Sequence, residues 1–401
     1  MNEEGDYTSP RAGKPPFQRV VFVLDSLKIG GAQRHTLDLA GLLIRRGHDV
    51  RIVVYARDLS TLDIAADITD RCTVLDFHRL FDPRGILKVA SELRRFDADI
   101  VIAVNQTATI LAGFARIMGV RGRFASILHT TILMGGSWDA RRFWLYRLAL
   151  LTMDGVIFVS SKQRDYWRRR LLFCWRAWVV RNGVDVRRFS SIDLATRESA
   201  RRRLGFNDRD FVVGLSASFR KEKNHSQLVE SLAALITGKI PAKLLFLGDG
   251  DMRTEVENRV NAMGLADHVV FAGAQSDVRP FLAALDVGVI CSSAVETFSV
   301  AALEIMAMGI PMVMSNIGGA SEIVRDGVDG ALYPANDNSG LTEALMQLTD
   351  NDLRRRAGAL ARAGIVARYS DTNMLEGYCG ILEKLVAVGR PSCWQTSGAS
   401  P

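Results

Sequence analysis

Glu296 and Glu304 lie eight positions apart in the stretch Ser292 to Gly309, and between Val300 and Met308 Glu304 is the sole polar residue. A helix that is apolar all round except for one acid is a buried helix. A buried carboxylate without partners costs several kcal/mol or takes up a proton. Glu304 is therefore expected to face a cavity whose occupant brings hydrogen-bond donors. Ser299 fits the N-cap position, which leaves the N–H groups of Phe298, Ser299, Val300 and Ala301 open beside the loop that carries Glu296. Such a helix start attracts a phosphate. An anion seat, an acid before it and an acid one turn inside it suit a sugar attached to a diphosphate. The competing reading, an N-terminal acid followed by a solvated one, conflicts with the lack of polar neighbours around Glu304.

Other residues could serve the same chemistry. Phe219-Arg220-Lys221-Glu222-Lys223-Asn224-His225 follows a buried strand and precedes a helix that starts near Ser226. A charged run is ordinarily a solvated loop, but at the carboxyl edge of a sheet Lys223 and Arg220 are placed to neutralise a diphosphate. Gly30-Gly31-Ala32 allows close backbone approach; a phosphate- or sugar-hugging loop and a plain tight turn both fit. His129 ends a strand and points to the cleft mouth, with a core or surface histidine as the alternative. Asp25 and Asn105 also end strands, as ligand contacts or as helix caps. Gly318-Gly319-Ala320, with Glu322 behind it, offers another close backbone approach, whereas Gly248-Asp249-Gly250 reads as a turn. Asp97-Ala98-Asp99 resembles a metal-binding D-x-D but precedes a strand rather than ending one, so it reads as a helix-to-strand turn.

These residues need a scaffold, and the apolar pattern supplies one. Short apolar runs at Arg19 to Leu24, Val50 to Tyr55, Ile100 to Val104, Phe124 to Leu128 and Gly155 to Val159 alternate with helix-like segments. This is the rhythm of a parallel sheet covered on both faces. Val179 to Asp185 reads as a strand ending in an Asn-Gly turn, then polar, Arg-rich sequence to about Asp210, with a linker near 183–195. The rhythm restarts at Phe211 to Ser216 and continues through Lys243 to Leu247, Val269 to Phe271, Val287 to Ile290 and Pro311 to Met314. The expected fold is α/β: two doubly wound Rossmann-like domains, residues 17–188 and 189–371, facing across a cleft. Ligands bind beyond the carboxyl ends of such strands. A last helix over 372–388 is placed to cross back to the first domain, and residues 1–16 and 389–401 read as disordered tails.

Composition narrows the setting. The chain has 401 residues, 48% hydrophobic and 24% charged, with a net charge of +7. Residues 1–190 hold 30 Lys+Arg against 19 Asp+Glu, and the remainder 21 against 25, so the two halves face different partners. Five scattered cysteines (72, 174, 291, 379 and 393) show no C-x-x-C pair, which fits a reducing cytoplasm rather than a disulfide framework or zinc site. The first sixteen residues lack the apolar core of a signal peptide, and no run of eighteen apolar residues exists to span a membrane. Between Trp138 and Trp178 lie five of the six tryptophans, with Arg141, Arg142, Arg147, Arg164, Arg168, Arg169, Arg170 and Arg176 among them. This pattern suits a surface lying on anionic phospholipid on the inner face of the cytoplasmic membrane. Two helices with apolar faces in the core and solvated arginines outside fit it as well. No nucleic-acid-binding motif accompanies the charge.

Lys223-Asn224-His225, Glu296-x(7)-Glu304, Gly309-Ile310-Pro311-Met312-Val313, Gly318-Gly319 and Asn182-Gly183-Val184-Asp185 occur together, and in this combination the chain resembles family 4 retaining glycosyltransferases of the GT-B fold. The likeness runs over about residues 17–390 and is strongest from 211 to 335. It implies hexose transfer from a nucleotide diphosphate sugar to a saccharide or lipid-linked saccharide, in cell-surface polysaccharide or glycolipid synthesis. The nucleotide sugar is a co-substrate; no cofactor or metal is implied. By the same likeness Glu304 accepts hydrogen bonds from the ribose, Glu296 contacts the transferred sugar and Lys223 the diphosphate. Phe298, Ser299 and Val300 offer backbone N–H groups, Gly31 approaches the donor from the opposite domain, and His129 sits near sugar and acceptor. The chain departs from the pattern at Ser218, where many relatives carry a phosphate-binding arginine, with Arg220 as a substitute two residues on. The rivals are an inactive nucleotide-sugar-binding relative, an epimerase and a phosphorylase of the same fold.

Overall fold

The computed structural model describes residues 17–27, 30–56, 66–77, 82–130, 140–170, 174 and 176–387. Both tails expected from the sequence lie outside them.

The described residues form two parallel sheets. The first contains β1 (Arg19–Leu24), β2 (Asp49–Val54), β3 (Cys72–Val74), β4 (Ile100–Val104), β5 (Arg123–Leu128), β6 (Gly155–Phe158) and β7 (Ala177–Val179), in the order β3-β2-β1-β4-β5-β6-β7. The second contains β8 (Phe211–Ser216), β9 (Ala242–Leu247), β10 (Val269–Gly273), β11 (Val287–Ile290), β12 (Met312–Ser315) and β13 (Gly330–Tyr333), in the order β10-β9-β8-β11-β12-β13. This is the doubly wound α/β architecture expected from the alternating apolar runs. Chain order reverses between β1 and β4, where Phe22 pairs with Ile102, and between β8 and β11, where Val213 pairs with Val287. Loops diverge at such points and leave crevices at the carboxyl ends of the strands.

Strand periodicity distributes the core. In β1, Val21 and Val23 join one apolar cluster with Val101, Phe124 and Leu111, while Val20, Phe22 and Leu24 join the other. The second cluster continues through Val180 and Val184 into the second domain and takes in Met374, Tyr378 and Leu382. Those three belong to the helix Asp371–Ala387, which packs on the helix Gly31–Arg45 of the first domain. Tyr378 Oη lies 3.4 Å from His35 Nε2, and Arg46 pairs with Glu376.

The Arg-rich segment before Asp210 is largely helical. It contains the helix Leu194–Leu204, capped by the Asp193 side chain. Arg197 and Arg201 each hold one oxygen of the buried Asp286 carboxylate at 2.6 Å, and Arg354 stands 3.2 Å away. Three guanidiniums around one buried acid fasten this helix to the second sheet, a role that charge composition alone does not reveal. Asp97 and Asp99 sit at the amino end of β4, away from the strand ends that line the cleft. Arg19 pairs with both, at 3.1 and 3.6 Å, and Asp99 accepts the N–H groups of Gln18 and Arg19. Among the described residues no helix is long and apolar enough to cross a membrane.

Candidate active site

The loops after β8 and β11 are stitched together at the second switch point. Ser293 N–H donates to Glu222 O at 2.8 Å, and the Cys291 thiol lies 3.3 Å from the carbonyls of Lys223 and Asn224. This stitching delivers Lys223, in the single turn Lys221–Lys223, to Glu296: Nζ to Oε2 is 2.7 Å. Ser292 Oγ donates to the same oxygen at 2.9 Å, and Glu296 is buried. The two charged residues singled out in the sequence are thus direct partners. Arg220 stands apart from them, half exposed and 3.8 Å from Glu222. Ser218 is half-buried, its carbonyl accepting Arg220 N–H at 2.8 Å.

Gly318 and Gly319 do make a close approach, but to the protein's own backbone. A Cβ on Gly318, whose φ is +52°, would sit 1.6 Å from Glu296 O, and Gly319 N–H donates to that same carbonyl at 3.1 Å. Their task is to brace the Glu296 loop.

The helix Val300–Ala307 starts as its sequence suggests, with Ser299 Oγ accepting Ala302 N–H at 3.2 Å. Phe298 packs its ring on Tyr369, centroids 5.3 Å apart, and its carbonyl accepts Asn182 Nδ2–H at 2.9 Å. Val300 is the first residue of the helix. One turn in, Glu304 is 5% exposed, and burial pushes its carboxyl up to about 7 against the opposing pull of Arg34. Arg34 belongs to the first domain, and its guanidinium stands 3.6 Å from Glu304 Oε1. The carboxylate therefore looks across the domain boundary, turned away from bulk water. Sequence reading did not single out Arg34; its signal is its position three residues after Gly31, on the first turn of the helix Gly31–Arg45.

Gly31 opens that helix after an extended Gly30, and a Cβ placed on Gly31 would meet no atom within 4 Å. The protein itself does not demand a glycine there. Asp25, beside it, accepts Gln33 Nε2–H at 3.0 Å. His129 follows β5, and its backbone N–H donates to Asn105 Oδ1 at 2.9 Å, so Asn105 serves the chain's own geometry. Burial lowers the His129 pKa to about 4, and its Nε2 is buried without a hydrogen-bond partner among the described residues. A neutral imidazole with one unsatisfied nitrogen can donate to or accept from a ligand hydroxyl. His35 lies edge-on at 4.6 Å and is likewise held neutral by burial.

The Trp/Arg segment divides on inspection. Trp167, 2% exposed, is a core residue, and Trp178 is half-buried and covers Gly155; Trp138 and Trp175 lie outside the described residues. On the helix Ala140–Leu151, however, Trp144 (55% exposed), Leu148 and Leu151 form an outward stripe.

Two family models match the chain: Glycosyltransferase Family 4 over residues 29–188 and Glycosyl transferases group 1 over residues 196–363. The N-acetyl-alpha-D-glucosaminyl L-malate synthase of Bacillus anthracis is 25% identical over 87% of this chain and 93% of its own. The phosphatidyl-myo-inositol mannosyltransferase of Mycobacterium leprae (strain TN) is 28% identical over 85% of this chain and 89% of its own. Among solved structures, Anabaena HepE in complex with UDP matches with a TM-score of 0.79 at 22% identity, covering 92% of this chain and 100% of that one. At such identity the structural likeness concerns the fold. The first model spans β2 to β7 and the second β8 to β13, one per sheet. The chain belongs to the family 4, group 1 glycosyltransferases of the GT-B fold.

Proposed function

We propose that the chain transfers a hexose from a nucleotide diphosphate sugar to a saccharide or lipid-linked saccharide, with retention and without a divalent ion, in polysaccharide or glycolipid synthesis. The observation that carries this reading is the buried Glu304 facing the other domain, one turn inside a helix whose start adjoins the Lys223–Glu296 pair. Ribose hydroxyls donate to Glu304. The diphosphate lies at the helix start, against the N–H groups of Phe298, Ser299 and Val300, and Lys223 neutralises it. Glu296 accepts from hydroxyls of the sugar. Gly31 leaves room for the donor from the first domain, and neutral His129 hydrogen-bonds the sugar near the acceptor. The anomeric C–O bond breaks with its electron pair going to the diphosphate. The acceptor hydroxyl attacks the same face and gives its proton to the departing phosphate oxygen. The relatives' names support a sugar donor, and HepE binds UDP.

A thermal-shift panel of UDP-, GDP- and ADP-sugars in EDTA tests the assignment. One class should raise the melting temperature, by about 2.7 kcal/mol of added stability at a hundred times its dissociation constant. No response to any of them, or a response only with added magnesium or manganese, would count against it. Ser218 and the outlying Arg220 favour a second reading, a donor-binding relative that neither transfers nor hydrolyses. Donor turnover separates the two.

The acceptor side of the proposal includes an anionic membrane surface. Trp144, Leu148 and Leu151 supply the apolar stripe; Arg147 is buried behind it, stacked on the rings of Phe143 and Trp144 at 5.4 and 4.5 Å, and braces the stripe rather than meeting lipid. Arg168, Arg169 and Arg170 lie exposed at the end of the helix Ser161–Arg169 that follows. Indole at the interface and guanidinium on lipid phosphate fit this pattern. The protein should float with liposomes containing phosphatidylglycerol at moderate salt, and Trp144→Ala with Leu148→Ser should release it. A wild-type protein that stays in the aqueous layer would remove the membrane from the account.

A further inference from the structure

Glu322 lies in the short helix Ala320–Ile323 of the second domain, yet its carboxylate serves the first. Oε2 accepts Ser161 N–H at 3.2 Å, and Oε1 accepts Lys162 N–H at 2.9 Å. Arg181 closes on Oε2 from the side, with Nε at 2.9 Å and Nη2 at 2.8 Å, and also donates to Ser161 Oγ at 3.1 Å. The carboxylate thus satisfies two orphan N–H groups at the start of the helix Ser161–Arg169, a job normally done by residues of the same helix. Its side chain is only 12% exposed, whereas that of Arg181 is 41% exposed, so the carboxylate is sheltered between the domains and the guanidinium reaches solvent.

The contact connects two residues of the proposed site. On one side, Gly319 N–H donates to Glu296 O at 3.1 Å, three residues before Glu322. On the other, Gln163, next to Lys162, donates through Nε2 to Leu128 O at 2.9 Å and Thr130 O at 3.0 Å. Those carbonyls flank His129. Trp167 Nε1–H adds a bond to Thr130 O at 3.2 Å, and Gln163 Oε1 accepts Val159 N–H at 2.9 Å. Hydrogen bonds joined by the backbone step from Lys162 to Gln163 therefore run from Glu296 through Glu322 to the backbone on both sides of His129. Of these links, Glu322 is the one that crosses between the domains.

We propose that Glu322 is a positioning residue that fixes the separation of His129 and Glu296 across the domain seam. The inference rests on the glycosyl-transfer reading for what those two residues do, but the seam itself can be measured without any substrate. Small-angle scattering on donor-free protein should give a larger radius of gyration for Glu322→Ala than for wild type. Glu322→Gln keeps one of the two acceptor oxygens used by the Ser161 and Lys162 N–H groups and should restore the compactness in part. Arg181→Ala should open the seam partway, and combined with Glu322→Ala it should add little.

Hydrolysis of UDP-glucose without acceptor supplies the second readout. Glu322→Ala should lower kcat about tenfold while KM changes little, since misplaced reacting groups cost turnover rather than donor grip. Wild-type scattering and wild-type kcat in Glu322→Ala would overturn the proposal. So would a loss of activity that tracks the unfolded fraction alone, with the folded remainder as compact as wild type. Should wild type fail to turn over UDP-glucose, the kinetic comparison moves to the nucleotide sugar that stabilises the wild type, and scattering alone still decides the role of Glu322. If the alanine variant does not fold, Arg181→Ala and Glu322→Gln carry the same comparison.

Discussion

Lys223→Ala is expected to lower turnover about 10²–10³-fold, the cost of roughly 2.7–4 kcal/mol when one preorganised stabiliser of a developing negative charge is removed. In the proposed transfer the charge appears on the diphosphate as the anomeric bond breaks, and Lys223 is the cation paired with Glu296 at 2.7 Å beside the helix start that would seat it. Its ammonium is preorganised: Glu296 and the stitched loops hold it before the donor arrives. The variant must be read with its partner in mind. Removing Lys223 leaves a buried carboxylate with, among the described residues, Ser292 Oγ as its side-chain donor, and breaking a buried pair from one side is destabilising by about 3–5 kcal/mol. Turnover must therefore be expressed per folded molecule, with the melting curve measured alongside. Lys223→Arg keeps the charge and should retain more activity than alanine, and Lys223→Ala with Glu296→Gln should regain stability without regaining turnover. Near-normal kcat in Lys223→Ala at full folding would remove the lysine from the mechanism.

The parts of this molecule that sequence made legible share a physical reason. Glu304 was readable because a lone acid in an apolar helix has few environments open to it, and the ten longest apolar runs were readable as strands because a sheet covered on both faces needs them. Two strands were missed, β3 and β13, short edge strands whose residues are partly exposed; the strand read from Val179 to Asp185 lies earlier, as β7, and ends at Val179. Trp167 shows the limit of patterning. Tryptophan and arginine at helical spacing fit an outward face and an inward one equally, and only packing places Trp167 inside and Trp144 outside. Arg201 hides similarly in a polar, Arg-rich stretch, because its buried partner Asp286 lies 85 residues away. Gly318 was recognised as a point of close approach, but its neighbour is the Glu296 carbonyl, which no sequence spacing could identify. The pairing of Lys223 with Glu296, and of Arg34 with Glu304, depends on how loops and domains meet. Residue types were visible; their partners were not.

Arg34 bears directly on the second large effect, the dependence of donor affinity on Glu304 and on pH. In the donor-free protein burial raises the Glu304 pKa to about 7, so near neutrality the carboxyl is about half protonated. In the proposed donor pose ribose hydroxyls donate to the ionised form, and donor binding should therefore expel a proton. Affinity should rise with pH, roughly tenfold per unit below 7 and flattening above it, because below its pKa only the ionised fraction binds. The effect on stability has the opposite sense. An acid whose folded pKa lies above its unfolded value contributes stability at low pH that is lost as pH rises from about 4.5 through about 7. Buried neutral His35, His129 and His225 act the other way, destabilising the fold as pH falls below about 6.5, so melting curves alone mix the two. Calorimetric titration of the donor in two buffers of different ionisation enthalpy isolates the Glu304 proton. Glu304→Gln should abolish both the proton release and the pH slope. It should also weaken binding by about 1.5–3 kcal/mol for each charged hydrogen bond replaced. Arg34→Ala would raise the Glu304 pKa further and move the slope to higher pH, since the guanidinium is the largest group favouring the ionised form. A pH profile that survives Glu304→Gln unchanged would assign the proton elsewhere and leave the ribose without its acceptor.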